Sequence, residues 1–473
     1  MTRVPASSQA ASGVPASPQP EFAPAAAAAG QAVAAALPAS AEVVEGRLER
    51  IGGVRVDTLA ARYGTPLWVL DRATLLGRMR AYRQAFAGSE VVYASKALCI
   101  RGVLELADDE GLLIDCATGG ELATALAAGV DPGRVVLHGN NKSIEELYEA
   151  VAVGVGRIVV DSFSELRRLE EIAEGLSRTV EVHLRVTPGI DAHTHDFVKT
   201  GQDDSKFGFT LSTGVAHAAA AAAAASSRLR LVGAHCHVGS QVFALEAFTA
   251  AAEVMAGFLA DIRTSHGIEL AELNLGGGLG VVEEPGDDPP TLERYAGELA
   301  AALAAASDAH GIPTPRLLVE PGRSIAAPAG LTLYRVGTIK ELAGLRTYVS
   351  VDGGMSDNPR YALYGAQHRF IPAGQPRRSG PGPRIAAGAP VTIVGKHCES
   401  GDLLAEGLAL PAEVGEDEFV AAVGTGAYHH AMASNYNRLP RPAVVLVADG
   451  QAVTLSRRET TADLLAREPS LRS

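Results

Sequence analysis

Residues 135–161 read VVLHGNNKSIEELYEAVAVGVGRIVVD, and this stretch contains one complete repeat of the predicted fold. The apolar run Val135–His138 predicts a buried strand, and Arg157–Asp161 predicts a second one. Between them, the apolar residues of Ile144–Val153 recur at helical spacing, and Ser143 precedes them as a suitable N-cap. A strand, a helix and a further strand in this order are typical of a parallel βαβ unit.

The same alternation of strands and helices continues through much of the chain. Ser162 precedes another stretch of helical spacing, Ser164–Leu176, and an Ala-rich helix is expected near Ala216–Ala225. Eight apolar strands that alternate with helices are typical of a parallel (β/α)8 barrel, so the predicted fold class is α/β. The predicted barrel strands are Val91–Ser95, Leu112–Asp115, Val135–His138, Arg157–Asp161, Val182–Val186, Leu231–His237, Leu273–Leu275 and Leu317–Glu320.

Beyond about Ala327 the pattern changes, because strands follow one another without crossover helices. Such runs predict a second, mainly antiparallel β-domain. A strand near Pro66–Leu70 precedes the barrel and is expected to join this domain, whereas Ile371–Arg384, rich in Gly, Pro and Arg, is predicted to be a surface loop. The predicted strands of the domain are Leu331–Ile339, Thr347–Val351, Pro390–Lys396, Glu418–Val423 and Ala443–Ala448.

These patterns divide the chain into four parts. Residues 1–44 are mostly Ala, Pro, Ser and Gly. They contain too few large apolar side chains to offset the loss of chain entropy, which predicts a disordered tail. The segment 45–70 is expected to join the β-domain, 71–327 to form the barrel, and 328–473 to form the C-terminal β-domain.

Composition excludes several classes of protein. The 473 residues include 41 basic and 54 acidic ones, and the formal net charge of −13 argues against a nucleic-acid partner or an anionic membrane surface. No apolar run reaches the roughly 18 residues that a membrane-spanning helix needs. Four scattered cysteines provide neither a disulfide framework nor a CxxC zinc site, which indicates a reducing, cytoplasmic location.

Ionisable and glycine-rich groups stand at the carboxyl ends of the predicted barrel strands, where barrels of this kind carry their active sites. Their convergence on one rim predicts an active site there. The strand ends are Tyr93-Ala94-Ser95-Lys96, Asp115, His138-Gly139-Asn140, His235-Cys236-His237-Val238-Gly239-Ser240, Gly276-Gly277-Gly278 and Glu320-Pro321-Gly322-Arg323.

Three of these groups have chemistry that a barrel mouth can use. A lysine such as Lys96 can form a Schiff base with a carbonyl, although a lone lysine is more often simply solvated. Gly276–Gly278 offers backbone N–H groups to a phosphate, although three glycines by themselves are more often a tight turn. Glu320 can face a basic ring nitrogen and keep that nitrogen protonated.

Two His-x-His pairs, His193/His195 and His235/His237, raise the alternative of a metal site. Alternation along a strand places both histidines of a pair on one face. No carboxylate or thiolate is spaced to complete a ligand set, so no metal is expected. Stacking of His237 on a flat cofactor is the preferred interpretation, and a packed structural histidine is the alternative.

The second domain adds three further candidates. Cys398 stands beside Glu399 on a predicted loop tip, where a cysteine is more often chemically active, whereas a buried structural cysteine would be the default elsewhere. The other two are the segment Asp352–Asp357, which leads to Arg360 and Tyr364, and the glycine turn Gly424–Tyr428, which ends in a phenol.

Taken together, these motifs resemble those of the fold-type III pyridoxal-phosphate-dependent decarboxylases, and in particular the diaminopimelate decarboxylases. The resemblance extends from about Gly64 to the C-terminal strands, and it implies the alanine-racemase-like combination of a barrel and a β-domain. Two departures, Tyr361 at a usual proline and Thr118 at a common serine, lie beside the working positions. The shared motifs are Tyr93-Ala94-Ser95-Lys96-Ala97, His235–Gln241, Gly276–Gly278, Glu320–Arg323, Cys398–Asp402 and Gly426-Ala427-Tyr428.

The resemblance implies a cofactor, pyridoxal 5′-phosphate, and a reaction. The reaction is decarboxylation of meso-2,6-diaminopimelate to L-lysine and CO₂, the last step of lysine biosynthesis. Lys96 would carry the cofactor as a Schiff base, His237 would stack on its ring, and Glu320 would pair with the ring nitrogen. The implied cofactor-binding residues are Lys96, His237, Ser240, Gly278, Glu320, Pro321, Gly322, Arg323 and Tyr428.

The resemblance also implies how substrate and subunits are arranged. Cys398 would donate the proton that replaces CO₂ and would come from the neighbouring subunit. The expected partner is therefore a second copy of the chain, in a homodimer with shared active sites. Glu399 would pair with the distal ammonium of the amino-acid substrate. The implied substrate-binding residues are Arg323, Arg360, Tyr364, Glu399 and Tyr428.

Other proteins of this fold are the alternatives. Decarboxylases that act on ornithine, arginine, lysine or carboxynorspermidine form simpler amines and need no cation at the distal end of the substrate. Arg323, Arg360 and Glu399 together match a distal group that carries both charges. An amino-acid racemase needs a second base and would lack the Cys398-Glu399 pair. A cofactor-binding regulator without catalysis would be expected to lack Lys96 or Cys398.

Overall fold

The computed structural model describes residues 26–190, 205–284, 286–376 and 382–472. The strands that precede the barrel all belong to the sheet of the second domain. In chain order the first elements are α1 (Ala26–Ala34), β1 (Glu42–Val44), β2 (Arg47–Ile51), β3 (Val54–Arg55), α2 (Val56–Tyr63) and β4 (Leu67–Asp71).

Part of the segment that is predicted to be disordered is folded. Disorder is expected through residue 44, but α1 and β1 form within that segment. Val33 is 3% exposed and Ala36 is 7% exposed, because both pack into the core of the second domain. Alanine has the highest helix propensity, so a few tertiary contacts suffice to stabilise this short helix. Residues 1–25 of the predicted tail lie outside the described residues.

Eight parallel strands form a closed barrel, as predicted. Neighbouring strands pair in parallel, and the barrel closes because the eighth barrel strand pairs with the first and the fourth pairs with the fifth. A short additional strand, Phe209–Thr210, pairs in parallel with the end of the fifth barrel strand. The strands are β5 (Glu90–Ala94), β6 (Leu113–Cys116), β7 (Val135–Leu137), β8 (Arg157–Val160), β9 (Val180–Thr187), β10 (Phe209–Thr210), β11 (Leu229–His235), β12 (Glu272–Asn274) and β13 (Arg316–Val319). In spatial order the barrel runs β5-β6-β7-β8-β9-β11-β12-β13, and β13 pairs with β5.

Helices connect the barrel strands. The predicted helix Ile144–Val153 has these bounds because Ser143 and Glu146 form a reciprocal capping box at its start and Gly154 adopts a left-handed conformation at its end. No helix among the described residues is long and apolar enough to cross a membrane. The helices are α3 (Arg72–Ala85), α4 (Arg101–Asp109), α5 (Gly119–Ala127), α6 (Ile144–Val153), α7 (Phe163–Gly175), α8 (Val215–Ala225), α9 (Leu245–His266), α10 (Leu292–His310) and α11 (Arg323–Ala326).

The second domain is a curled sheet whose strand pairs are mainly antiparallel, as predicted. Three of its pairings are parallel: β2 with the strand that begins at Phe370, β4 with the strand that begins at Ala443, and Arg346–Val351 with Pro390–Val394. The elements are β14 (Gly330–Leu342), β15 (Arg346–Val351), α12 (Arg360–Tyr364), β16 (Phe370–Ala373), β17 (Arg384–Ile385), β18 (Pro390–Val394), β19 (Leu403–Ala409), β20 (Val414–Gly415), β21 (Phe419–Val423), β22 (Ala443–Ala448), β23 (Gln451–Ser456) and α13 (Thr461–Leu465). The predicted domain bounds, 45–70, 71–327 and 328–473, stay a prediction.

The prediction of a surface loop over Ile371–Arg384 is wrong at its start. Ile371 belongs to β16, a central strand in which every residue is buried. Alternate side chains of a strand point to opposite faces of the sheet, and here Phe370 packs into one core of the domain while Ile371 packs into the other. Both faces are covered, so the strand lacks the apolar-polar alternation that reveals a half-exposed one. Residues 377–381 lie outside the described residues.

A buried ion pair within the second domain connects β2 with the residue that precedes β21, and it provides a test of the stability of the domain. Arg47 Nη2 lies 3.0 Å from Glu418 Oε2, and the side chains are 8% and 0% exposed. We expect Glu418→Gln to lower the free energy of unfolding by about 3 kcal/mol, because it leaves a buried guanidinium without its counter-ion. The exposed pair of Arg101 with Glu105 is the matched control: Glu105→Gln should cost no more than about 0.5 kcal/mol. Denaturant unfolding of both variants measures the difference, and equal losses would contradict the expectation.

Candidate active site

A cavity of about 440 Å³ opens at the carboxyl ends of the barrel strands, where the barrel meets the second domain. A smaller recess of about 50 Å³ adjoins this cavity. The cavity is lined by Lys96, Asp115, Ala117, His138, Gly139, Asn140, Arg185, Lys206, Phe207, His235, His237, Ser240, Glu320, Arg323, Arg360, Tyr364, Tyr428 and Met432. The recess is lined by Ala94, Lys96, His237, Ser240, Gly277, Gly278, Leu279, Glu320, Gly322, Arg323, Ser324 and Tyr428.

Lys96 lies in the short 3₁₀ turn that directly follows β5, and its side chain is exposed to the cavity. Desolvation lowers the pKa of its amine, but the nearby side chains of Tyr428, Asp115 and Glu320 raise the pKa by more. The net pKa is therefore above the ordinary value of a lysine. The fold thus holds this amine at the mouth of the barrel, among acidic groups that come from other strands.

Glu320, at the end of β13, is the most connected carboxylate of the cavity. Its Oε1 accepts a hydrogen bond from Asn274 Nδ2 at 2.7 Å and lies 2.8 Å from His138 Nε2, while its Oε2 lies 3.2 Å from His235 Nε2. Burial alone would raise the pKa of Glu320, but His138 and His235 outweigh burial and hold the pKa well below the ordinary value. Glu320 is consequently ionised at neutral pH.

Asp115 provides a second buried carboxyl group, at the end of β6. Its Oδ1 lies 3.8 Å from His138 Nε2 and has no hydrogen-bond partner among the described residues. Burial raises the pKa of Asp115 to about 6, against the opposing effect of His138. The pKa of His138 is raised, because Asp115 and Glu320 together outweigh the lowering effect of burial. One imidazole thus stands between two carboxyl groups on the floor of the cavity.

His237 follows β11 and reaches both the cavity and the recess. Burial, with the positive charge of Lys96 as the next cause, holds the pKa of His237 well below the ordinary value. The pKa of His235 is lowered to about 3, also by burial. Both imidazoles are therefore neutral at physiological pH, and a neutral ring is suited to stacking on a flat ligand.

The glycine turns of the rim approach one another so closely that side chains would not fit. A Cβ atom on Gly277 would lie 2.1 Å from the carbonyl oxygen of Glu320. Gly278 has a φ of +120°, and a Cβ atom there would lie 2.3 Å from the carbonyl oxygen of Gly239. Pro321 fixes the same region, because its carbonyl oxygen accepts a backbone hydrogen bond of 3.1 Å from the end of β5. The glycines thereby leave space for the recess.

Arg323 and Arg360 come from different domains and meet through one carboxylate. Arg323 begins α11 and Arg360 begins α12. Glu283 accepts a hydrogen bond of 2.6 Å from Arg323 Nη1 and one of 3.2 Å from Arg360 Nη2. Arg323 Nη2 also donates to Ser240 Oγ at 3.0 Å, and the Arg360 guanidinium carbon lies 5.4 Å from the ring centre of Tyr364. The two arginines that the resemblance assigns to substrate therefore share one wall.

Tyr428 extends from the second domain over both arginines. The centre of its ring lies 4.8 Å from the guanidinium carbon of Arg323 and 5.9 Å from that of Arg360. The φ of Tyr428 is +60°, in the left-handed region that a bulky side chain rarely adopts. A hydrogen bond of 2.8 Å from its backbone N–H to the carbonyl oxygen of Ala97 stabilises this conformation. Such local strain is concentrated at functional sites.

Cys398 and Glu399 lie on an exposed loop after β18, and the cavity lining formed by the described residues does not include them. The loop is nevertheless well supported. Asp402 accepts a hydrogen bond of 2.8 Å from the backbone N–H of His397, and Asn437 Oδ1 accepts one of 3.1 Å from that of Cys398. The structure therefore brings the other predicted site residues together in one chain but places this pair apart from them.

The barrel sequence identifies the family. A family model described as the pyridoxal-binding domain of pyridoxal-dependent decarboxylases matches residues 72–327, more than half of the chain. The chain belongs to the pyridoxal-dependent decarboxylases. The match covers the barrel and α3, and it contains every rim residue of the cavity that the barrel supplies.

Individual decarboxylases are similar to this chain over most of its length. The diaminopimelate decarboxylase of Actinosynnema pretiosum is 47% identical over 428 residues, which cover 89% of this chain and 94% of the relative. That of Bacillus subtilis is 44% identical over 424 residues, with coverages of 89% and 94%. A crystal structure of diaminopimelate decarboxylase from M. jannaschii in complex with L-lysine is 32% identical, with a TM-score of 0.83, over 91% of this chain and 98% of that one.

The cofactor of this decarboxylase is pyridoxal 5′-phosphate, and its cavity fits that molecule. The ionised Glu320 can accept a hydrogen bond from a protonated ring nitrogen. The recess is small, and its lining includes backbone of Gly278, the hydroxyl of Ser240 and the guanidinium of Arg323, which are groups suited to a phosphate. Lys96 faces both spaces, so its amine can reach an aldehyde on the ring between them.

The fold also assembles a group that the sequence argument did not find. His138, His235 and Glu320 present ligand-type atoms within 4.8 Å of one another. Sequence spacing could not reveal this group, because His138 and Glu320 follow other strands than the one that ends in His235. In this decarboxylase the same carboxylate is the expected partner of the ring nitrogen. The pair His193/His195 lies outside the described residues.

Sequence reasoning missed several residues of the site, among them Arg185, Asn274 and Glu283. Arg185 lies near the end of β9, at an alternate position to Glu181 and His183, and a charged side chain close to the carboxyl end of a barrel strand was the available signal. Asn274, which orients Glu320, ends β12 directly before the glycine run. Glu283 lies in a loop without a motif, and only the fold brings it to Arg323.

Proposed function

We propose that this decarboxylase converts meso-2,6-diaminopimelate to L-lysine and CO₂, the last step of lysine biosynthesis. The observation that carries the proposal is the wall on which Arg323 and Arg360 meet, in the same cavity as Lys96. A guanidinium pair is suited to a carboxylate, and the substrate of a simple diamine-forming decarboxylase has none at its far end. The names of the relatives and the L-lysine in the M. jannaschii structure support the same substrate.

The proposed cofactor site consists of the residues that surround the cavity and its recess. In the proposal, Lys96 Nζ would hold the cofactor as a Schiff base, the imidazole of His237 would stack on the ring, and Glu320 would pair with the ring nitrogen. His138 and His235 outweigh desolvation and keep that carboxylate ionised, so it would maintain the charge of the ring. The phosphate group is assigned to Ser240, Gly278, Gly322, Arg323 and Tyr428, with Pro321 fixing the backbone.

Pyridoxal phosphate, when bound, supplies a conjugated ring that accepts the electron pair released as CO₂ leaves. The protein residues have three tasks. They hold the far end of the substrate so that the bond to the departing carboxylate is correctly oriented, they exclude water, and they supply one proton. In the proposal, the Cys398 thiol delivers that proton to the carbon that has lost its carboxylate. The balance is one C–C bond broken, one C–H bond formed and one CO₂ released.

The far end of diaminopimelate carries one carboxylate and one ammonium. The carboxylate is assigned to Arg323, Arg360 and Tyr364, all on the cavity wall. The ammonium is assigned to Glu399, which lies on the exposed loop with Cys398. L-lysine, the product, keeps both charges at this end, because the carboxylate that leaves belongs to the other end.

The position of the Cys398 loop supports a homodimer with shared active sites. Cys398 is exposed and lies outside the cavity lining that the described residues form in its own chain. A proton donor has to reach the reacting carbon, so the partner subunit's Cys398 is assigned to each cavity. A cytoplasmic location is part of the same proposal, since the four cysteines are free.

Replacement of Arg360 tests the substrate assignment. We expect Arg360→Ala to lower kcat/KM for meso-diaminopimelate by about a hundredfold, since loss of one partner of a desolvated charge pair costs about 2–5 kcal/mol. The inhibition constant of L-lysine should rise in parallel. That of cadaverine, which is lysine without its carboxylate, should change little. CO₂ release and competitive inhibition measure these constants.

The matched control is Arg346→Ala, which removes an exposed arginine of the same domain whose guanidinium pairs with Glu406. This variant should keep the activity and both inhibition constants. Equal proportional losses for lysine and cadaverine in Arg360→Ala would show that Arg360 supports the cofactor site or the fold. The carboxylate role would then have to be abandoned. If the unmodified protein released no CO₂ from meso-diaminopimelate, the proposed substrate itself would be wrong.

A further inference from the structure

Glu283 is a buried carboxylate that none of the roles above uses. Its side chain is 5% exposed, and its two oxygens bind the two arginines separately: Oε1 lies 2.6 Å from Arg323 Nη1 and Oε2 lies 3.2 Å from Arg360 Nη2. The arginine side chains are each 7% exposed. Arg323 belongs to the barrel and Arg360 to the second domain, so this one carboxylate joins the two domains at the cavity wall.

Two buried guanidinium groups repel each other unless a counter-ion lies between them. Burial alone would raise the pKa of Glu283, but Arg323 and Arg360 outweigh burial and hold the pKa at about 2. Glu283 is therefore ionised throughout the physiological range. The three side chains together carry one net positive charge, where the arginines alone would carry two.

The donors that Glu283 leaves available show what the wall can still bind. Arg360 Nε is buried and has no hydrogen-bond partner among the described residues. Arg323 directs Nε and Nη2 to Ser240 Oγ, at 3.3 and 3.0 Å, so these atoms are used toward the recess. A buried donor without a partner is costly, and an acceptor from a ligand would satisfy it. One net positive charge and a buried donor that lacks a protein acceptor suit the carboxylate of a ligand.

We propose that Glu283 is the positioning residue of the distal substrate site, which holds Arg323 and Arg360 in one arrangement and sets their summed charge to accept one carboxylate. This inference rests on the proposed function, because it assigns the arginine wall to the far end of the substrate. Glu283 acts through the arginines and need not touch the substrate itself. It also distinguishes ligands: a molecule with a far carboxylate depends on Glu283, and a molecule with only an ammonium there does not.

The same experiment also tests the opposite role for Glu283, which is competition with the substrate carboxylate. If Glu283 occupied the position that the substrate carboxylate takes, it would compete with the substrate. Its removal would then tighten binding of diaminopimelate and of L-lysine. If Glu283 positions the arginines, its removal weakens binding of both ligands, because the guanidinium groups separate and lose their shared orientation.

The experiment compares Glu283→Gln with Glu284→Gln. Glu284 is the exposed neighbour, whose carboxylate accepts a hydrogen bond of 3.0 Å from the backbone N–H of Gln367. For Glu283→Gln we expect KM for meso-diaminopimelate and the inhibition constant of L-lysine to rise at least about tenfold, which corresponds to about 1.4 kcal/mol. The inhibition constant of cadaverine should change less than about twofold, a difference of about 0.4 kcal/mol. Glu284→Gln should resemble the unmodified protein in all three.

Two further measurements separate positioning from simple loss of structure. The absorbance of the bound cofactor should be unchanged in Glu283→Gln, since Glu283 lies outside the cofactor set. Glu283→Asp retains the charge on a shorter side chain, and it should give constants between those of the unmodified protein and Glu283→Gln even if the latter folds poorly. In Glu283→Ala, added acetate should lower the raised KM, because a free carboxylate can enter the space between the arginines.

The inference is overturned if KM for diaminopimelate falls in Glu283→Gln, if the lysine and cadaverine constants change by the same factor, or if acetate has no effect on Glu283→Ala. Different results would contradict the proposed function. In that case the unmodified protein releases no CO₂ from meso-diaminopimelate, or Arg360→Ala changes lysine and cadaverine inhibition equally. An unmodified protein that is active, with Arg360→Ala impaired and Glu283→Gln normal, would contradict the Glu283 role alone.

Discussion

Lys96→Ala should reduce kcat/KM by about 10³-fold or more and should leave the purified protein colourless. Lys96 lies directly after β5, and its side chain is exposed to both the cavity and the recess. Removal of a group that bonds to the cofactor costs more than removal of a single binding contact. The visible absorbance of the unmodified protein and CO₂ release from meso-diaminopimelate measure the two effects.

A second lysine makes this test discriminating. Lys206 also lines the cavity, and its ammonium lies 5.0 Å from the ring centre of Phe207. Borohydride reduction of the unmodified protein, followed by proteolysis, should place the cofactor on the peptide that contains Lys96. Lys206→Ala should retain the visible absorbance. A labelled peptide that contains Lys206 would refute the assignment of Lys96.

Cys398→Ala should reduce kcat by about 10²–10⁴-fold, the usual contribution of a positioned proton donor. Its effect also tests the shared active site. In a symmetric dimer, exchange of subunits between Cys398→Ala and Lys96→Ala proteins produces hybrids in which one cavity has both residues. If each cavity combines Lys96 of one subunit with the partner subunit's Cys398, random exchange restores about a quarter of the full activity.

The control for this mixing experiment is the double variant Lys96→Ala/Cys398→Ala mixed with Lys96→Ala, which contains no intact Lys96 and should remain inactive. A tagged subunit demonstrates that exchange has taken place. If both residues of an active site came from one chain, every chain in the first mixture would lack one of them. Activity would then stay absent despite exchange, and this result would exclude the shared site.

Local signals were sufficient for most of the barrel. The predicted helix Ile144–Val153 has the observed bounds, because Ser143 and Glu146 cap it within one turn of chain. Each of the eight predicted barrel strands overlaps an observed one, with bounds that agree within two residues, because buried strands are largely apolar runs separated by helices. Such features depend on neighbours in the chain, so they can be recognised without knowledge of the fold.

Errors arose where distant contacts outweigh local composition. The segment 26–44 is rich in small residues, yet Val33 packs into the second domain and α1 is ordered. Ile371 begins a stretch rich in Gly and Pro, yet it lies in a central strand whose two faces are covered by separate cores. Burial against partners hundreds of residues away stabilises both segments, and composition does not reveal it.

The barrel, the second domain and the chemical groups at the strand ends could be predicted from the sequence, because periodicity and turn residues are encoded locally. The charges and the pairing of those groups depend on contacts between segments that are distant in the chain. Glu320 is ionised because histidines from two other strands surround it. Arg323 and Arg360 share Glu283 across a domain boundary, and Cys398 lies apart from the cavity lining. Charge interactions act through space, over distances that the order of residues does not specify.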